Sequence, residues 1–207
     1  MYLLQSHLFA LLASLIALWV EGRYIYSIIT RQTIPNFTGW FIIALSMTFV
    51  FFSGLAGGGG TTLWLIGTLA VLHSIEAILS LFYGHFRITF LEKGFIILAC
   101  LSLLTWYISD DPVYTTIMNT LIDTFGMTSV AYKLFRFPET EDPLAWWVSV
   151  VMYGVDILAI ATWTIASAFF ISMNFVECLI IFALTFRHRN LLQSLKLSLS
   201  QYFHIKI

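Results

Sequence analysis

The chain is poor in charge. Of its 207 residues only 10% are Asp, Glu, Lys or Arg, against about 25% in soluble domains, and 59% are hydrophobic against about 45–50%. Mean hydropathy is +0.89. A soluble fold of this composition would turn long apolar stretches toward water, so the lipid bilayer is the expected solvent. Basic residues are few and scattered. The formal net charge is −1, with no Lys/Arg block, which excludes a nucleic-acid partner. Cysteine is almost absent. Cys100 and Cys178 lie in apolar runs with neither metal nor disulfide spacing, and they read as small core hydrophobes. No metal centre and no cofactor is expected. Met1–His7 has no Lys or Arg, and Leu8–Val20 runs on through Ile25–Ile29 without a small-residue cleavage site. It reads as a spanning helix rather than a cleavable signal.

What is present is a series of apolar segments. They run over Leu3–Ile29, Phe37–Leu55, Thr61–Tyr83, Gly94–Ile108, Val113–Phe135, Leu144–Thr162 and Ile165–Phe186. A spanning helix needs about 20 apolar residues, so seven of them take up roughly 140 and leave only short loops. Turn signals separate them: Pro35-Asn36, Gly57–Gly60, Asp110-Asp111-Pro112, and Pro138 to Pro143. The break near Trp163 is the weakest, and without it the count falls to six. Gly57–Gly60 lacks the Lys-Ser/Thr that a phosphate-binding loop needs, so it is a turn.

Basic residues fall on alternate loops. Arg31, then His85, Arg87 and Lys93, then Lys133 and Arg136, then Arg187, His188 and Arg189 lie on one side, and the intervening turns carry no Lys or Arg. By the positive-inside rule the N-terminus is outside and the C-terminus cytoplasmic in a multi-pass cell-membrane protein. That parity requires an odd number of spans. The tail Asn190–Ile207 spaces Leu192, Leu195, Leu199 and Tyr202 as a helix lying on the inner leaflet would, and a tail without structure is the alternative.

The segments repeat. Tyr26 matches Tyr132 and Trp40 matches Trp146 at an offset of 106, and His73-Ser-Ile-Glu76 matches Asn174-Phe-Val-Glu177 at an offset of 101. A three-helix unit used twice follows, residues 1–84 and 110–189, joined by a linker helix in 85–109 and followed by the tail 190–207. The odd linker makes the two units run in the same direction through the membrane. Three plus one plus three in this orientation resembles the SWEET and PQ-loop superfamily. Pro35-Asn-Phe-Thr-Gly-Trp40, Ile78-Leu-Ser-Leu-Phe-Tyr-Gly84, the mid-helix Asp123 and Pro138-Glu-Thr-Glu141 leading to Trp146 resemble, within it, small uncharacterised bacterial seven-helix membrane proteins. The resemblance implies an all-α integral membrane fold with a central solute site, to which the third helix of each unit contributes polar side chains, here His73 and Asn174. The sugar-transporting members carry prolines inside the first two helices of each unit and a Pro-Gln pair. Here Pro35, Pro112, Pro138 and Pro143 all sit at segment ends, so neither the proline hinge nor sugar as solute carries over.

The residues that point to function are acids placed where lipid is expected. Glu76, Asp123, Asp156 and Glu177 fall near the middle of segments three, five, six and seven, and Glu21 in the inner half of the first. Each costs roughly 2.5–3.5 kcal/mol at a helix centre, so four uncompensated acids would cost on the order of 10 kcal/mol. Few cations lie within the segments away from their ends, Arg23 and His73. The acids must therefore face one another, water or a polar cavity, or carry protons. Helical spacing adds neighbours: His73, Glu76 and Ser80 share a face, as do Asn119 and Asp123, Tyr153 and Asp156, and Asn174 and Glu177. His73, Glu76, Asn119, Asp123, Tyr153, Asp156, Asn174 and Glu177 are the candidate substrate-binding residues. Interhelical hydrogen bonding with a purely structural role is the competing account. Carboxyls crowded away from water favour proton uptake, which admits a proton-linked mechanism.

The remaining signals are plainer. Trp19, Trp40, Trp106, Trp146 and Trp147 are expected at the membrane interfaces, with Trp64 and Trp163 anchoring the outer face. Glu139, Glu141 and Asp142, beside Lys133 and Arg136, are expected to form a solvated inner loop, with a gate salt bridge as the alternative. Asn36-Phe-Thr38 fits a glycosylation sequon on the wrong side of the membrane. An intramembrane zinc hydrolase would need several histidines within spans, and His73 is the one there, so no enzyme is expected. A retinal protein would need a lysine in the seventh segment, which has none. The expected function is a small-solute transporter acting as a monomer or homo-oligomer, with a non-transporting receptor or assembly subunit as the alternative on the same fold.

Overall fold

The computed structural model describes residues 2–56, 60–84, 88–109 and 111–186. Seven helices follow one another: α1 Tyr2–Ile29, α2 Phe37–Ala56, α3 Leu63–Tyr83, α4 Phe90–Ile108, α5 Pro112–Arg136, α6 Pro143–Leu158 and α7 Ile165–Thr185, with a 3-10 turn at Pro138–Thr140. The described residues contain no strand. Leu4–Ile29, Phe37–Leu55, Leu63–Tyr83 and Ser167–Thr185 are long and apolar enough to cross a membrane, and α6 is a shorter apolar helix.

Helix boundaries follow local chemistry. The chain leaves α1 where Arg31 takes a left-handed conformation (φ 59°) and the Gln32 and Thr33 amides turn back onto the Ser27 carbonyl. The fourth helix begins at Phe90, four residues before the apolar run suggests. There Thr89 and Glu92 form a reciprocal cap: the Glu92 carboxylate accepts from the Thr89 amide at 2.7 Å, and the Thr89 hydroxyl accepts from the Glu92 amide at 3.3 Å. The sixth helix stops at Leu158 rather than Thr162, and a short turn leads to Thr164, which caps α7 with Ser167. The weak break near Trp163 is therefore a real turn. The proposed tail helix after Asn190, the basic groups Arg187–Arg189 and His85–Arg87, Gly57–Gly59 and Asp110 lie outside the described residues.

Packing has a regular order. α3 packs against both α1 and α2, and α7 packs against both α5 and α6. The two triplets meet through α2 with α5 and through α1 with α6, while α4 lies against α5 and touches α2. Exchanging α1, α2, α3 with α5, α6, α7 maps each of these triplet contacts onto another in the set. The α2–α5 crossing is close because both helices carry glycine there. A Cβ on Gly126 would sit 2.7 Å from Ile43 Cγ1 and 3.0 Å from the Gly39 carbonyl.

The bundle is apolar outside and holds its buried polar groups within a largely apolar core. On α1, Leu8, Leu11, Leu15 and Leu18 are exposed, while Ser6, Ala10, Ala13, Ala17 and Glu21 are buried. Exposed Ile97, Leu101 and Leu104 continue the apolar exterior on α4. The least apolar of the helices, α5, buries Asn119, Thr120, Asp123, Ser129 and Lys133. This distribution suits a bilayer, where the exterior meets hydrocarbon and polar groups must find partners inside.

The two ends of the bundle differ in charge. α1 starts at one end, with the α2–α3 and α6–α7 turns, where Thr61 Oγ1 donates to the Ala159 carbonyl at 3.1 Å. The α1–α2 and α5–α6 connections meet at the other, where the Ile34 amide donates to the Thr140 carbonyl at 3.0 Å. Arg23, Arg31, Lys93, Lys133 and Arg136 all lie toward this second end, called the Lys133 end below.

Candidate functional site

Glu76, Asp123 and Asp156 are each 0% exposed and Glu177 is 7% exposed. No acid of the set points at the bundle exterior. Between the two triplets lies a small central cavity lined by Glu21 of α1, Trp40 of α2, His73 of α3, Trp146 and Tyr153 of α6, and Asn174 of α7, among others. Its volume is about 20 Å³, room for one or two water molecules.

Two carboxyl pairs flank the cavity. In the first triplet Glu21 faces Glu76, with His73 Nε2 3.9 Å from Glu21 Oε1. Glu76 sits three residues after His73, on the same face of α3, and neither of its oxygens meets a hydrogen-bond donor. In the second triplet Asp123 faces Glu177 and Asn174. Thr124 Oγ1 donates to Glu177 Oε1 at 2.6 Å, and Asn174 Nδ2 donates to the Phe170 carbonyl at 3.1 Å. Tyr153 of α6 lines the cavity as well. Both pairs join the first and third helices of their triplet.

Of the residues expected from sequence, His73, Tyr153 and Asn174 line the cavity, while Glu76 faces its lining residue Glu21 and Asp123, with Glu177, faces its lining residue Asn174. Two stand apart. Asn119 is buried one turn from Asp123, toward the N-terminal end, and its backbone carbonyl accepts from Ser46 of α2 at 3.0 Å. Asp156 is buried one turn beyond Tyr153, without a hydrogen-bond partner for either oxygen, and it does not line the cavity.

Below the cavity, at the Lys133 end, the structure corrects the expected solvated loop. Lys133, Glu141 and Asp142 are buried, and only Glu139 and Arg136 are exposed. The Lys133 ammonium bonds Glu141 Oε1 and the Ile34 carbonyl. Glu141 Oε2 accepts from the Tyr24 hydroxyl at 2.7 Å and from Trp146 Nε1 at 3.1 Å, and Trp40 Nε1 donates to the Tyr24 oxygen at 3.3 Å. Arg23 pairs with Asp142 at 2.8 Å. The loop is buried because the α1–α2 and α5–α6 connections fold over one another and cover it.

Trp40 and Trp146 are a second correction. They are not interface anchors but core residues, 3% and 5% exposed, whose rings stack at 6.2 Å between the triplets. Trp19, Trp64, Trp147 and Trp163 are exposed, and the Trp106 side chain is outside the described set. Asn36 is also buried. Its amide donates to Glu92 at 2.8 Å and its oxygen accepts from the Gly39 amide at 2.6 Å, so it is a helix cap rather than a glycan acceptor.

The N-terminal end is open. A recess of about 490 Å³ lies among Ser6, His7, Gly60, Thr61, Trp64, Thr162 and Ser167. On α6, Tyr153 at the cavity, Asp156 and Ile160 at the recess follow one another at helical spacing.

Compared with known protein families, characterised proteins and solved structures, the chain matches none of them.

Proposed function

We propose that this chain is a SWEET-like small-solute transporter with seven spans, in which two parallel three-helix units enclose a midplane site. The observation that carries the reading is a cavity between the two triplets lined by Glu21, His73 and Asn174, with Glu76 facing Glu21 and Asp123, together with Glu177, facing Asn174. A carboxyl buried in a lipid-facing bundle is costly to keep unless it serves a polar path. The exchangeable packing of the triplets supports the repeat, as do the positions of its paired residues. Trp40 and Trp146 stack on each other, and His73 and Asn174 line the same cavity. In this reading the N-terminal end is outside and the Lys133 end cytoplasmic.

The site works by alternating access. The recess admits solute from outside, and the Lys133–Glu141 network seals the cytoplasmic end. A cavity of water size is the occluded state between openings, and the solute enters when the triplets rock apart. The paired carboxyls recognise hydrogen-bond donors or positive charge, and they can exchange a proton as the site opens and closes.

The experiment is uptake by proteoliposomes of radiolabelled sugars, amino acids, polyamines and organic acids, with and without a pH gradient. Wild type is expected to move at least one class, and Asp123→Asn and Glu76→Gln to lose at least about tenfold of that flux while remaining monodisperse in detergent. Unchanged flux in both variants contradicts the acidic site. Binding of a solute by wild type without flux contradicts transport and favours a receptor.

A further inference from the structure

We propose that Glu21, His73 and Glu76 form a binding site for one divalent transition-metal cation. One ligand atom from each residue can be chosen so that all lie within 4.8 Å of one another, and all three side chains are buried. The Glu21 oxygen and His73 Nε2 are already 3.9 Å apart. Two ligands of a tetrahedral ion at about 2.1 Å sit roughly 3.4 Å from each other, so small side-chain rotations close the set.

Independent features point to a ligand here. Both Glu76 oxygens and His73 Nδ1 are buried without a hydrogen-bond partner. The nearby strong cations are engaged elsewhere, Arg23 with Asp142 and Lys133 with Glu141. The water-sized cavity borders both Glu21 and His73, which leaves room for a water as a further ligand. Two carboxylates balance the charge of a divalent ion. The Trp40 ring lies edge-on to His73 at 5.2 Å and fixes the plane of the imidazole.

The donor set selects the class of ion. Imidazole with two carboxylates suits Zn²⁺, Mn²⁺, Fe²⁺ or Co²⁺, whereas Mg²⁺ and Ca²⁺ favour oxygen alone. The partner triplet differs on this point. Asp123 and Glu177 have Asn174 where the first triplet has His73, so the site is particular to one half. The inference rests on the grouping of these side chains and not on transport.

The test uses the full chain, purified in detergent without an affinity tag, stripped with a chelator and titrated with Zn²⁺ and Co²⁺. Bound metal is counted by mass spectrometry after desalting, and Co²⁺ is read by absorption. Wild type and the exposed-acid control Glu139→Gln are expected to bind one ion per chain, and Glu76→Gln to bind at least about tenfold more weakly. His73→Cys is expected to retain Co²⁺ and gain a thiolate charge-transfer band absent from wild type, which keeps the test decisive if Glu76→Gln does not fold. The proposal is overturned if wild type desalts free of metal. It is also overturned if His73→Cys binds Co²⁺ without the new band. Metal binding without flux would contradict transport and leave this site intact, and flux without metal binding would do the reverse.

Discussion

At the Lys133 end the bundle is closed by a buried ion pair, a second ion pair beside it, and two stacked tryptophans. At the N-terminal end it is held by hydroxyls beside Gly60 around a recess of about 490 Å³. The energies that hold these ends are unequal. A desolvated ion pair with both carboxylate oxygens hydrogen-bonded is costly to break and has few alternative arrangements, whereas neutral hydroxyl contacts exchange with water at small cost. Under the proposed function, the N-terminal end is the one that opens more readily. The carboxyl pairs lie between the two ends.

The largest effect is expected at the sealed end. Lys133→Met strands Glu141 in the core and should cost about 3–5 kcal/mol of stability, read as a fall in the thermal midpoint in detergent. Lys133→Met with Glu141→Gln should recover a substantial part of it. No recovery in the double variant would mean that Lys133 acts alone. Next comes Asp142, which pairs with Arg23 and caps α6 through the Leu144 and Ala145 amides. Asp142→Asn keeps a capping oxygen and Asp142→Ala does not, so the alanine variant should be less stable by about 1 kcal/mol. Tyr24→Phe removes one donor to Glu141 and should cost roughly 1–2 kcal/mol. The smallest effect belongs to the open end, where Thr61→Val loses the bond to the Ala159 carbonyl and should cost about 0.5–1 kcal/mol. A Thr61→Val loss as large as that of Lys133→Met would erase the contrast between the ends.

Much of this was legible in the residues. Apolar runs are long compared with the loops, so the helices could be counted, and an acid inside such a run is conspicuous. The burial of Glu76, Asp123 and Glu177 is readable in this way, and helical spacing from them marks His73, Asn174 and Tyr153. Glu21 reads as a buried acid too, but its pairing with Glu76 depends on how α1 leans on α3, which periodicity along one chain does not encode. Glu141, Asp142 and Lys133 read as loop residues because charge beside proline usually means solvent. Their burial comes from two connections closing over each other, a nonlocal event. The start of α4 had a local signal, Thr89 three residues before Glu92, which the hydropathy of the following run obscured. The offset that paired Trp40 with Trp146 held the clue to their stacking, but tryptophan near a segment end reads first as an interface anchor. Asp156 shows the converse: its burial was readable, its separation from the cavity was not.

The most direct test of the proposed path, which leads from the N-terminal recess to the central cavity and is sealed at the Lys133 end, is labelling of a cysteine placed in the cavity. Ser149 lines the cavity, and Ser149→Cys with Cys100 and Cys178 replaced by alanine can be exposed to a small membrane-impermeant thiol reagent from either side of oriented vesicles. The account predicts labelling from the N-terminal side, with labelling from the opposite side appearing only when Glu141→Gln breaks the seal. A cysteine that stays unlabelled from both sides, in the intact and the Glu141→Gln backgrounds alike, would mean that the acids sit in a closed core and that no path runs through them.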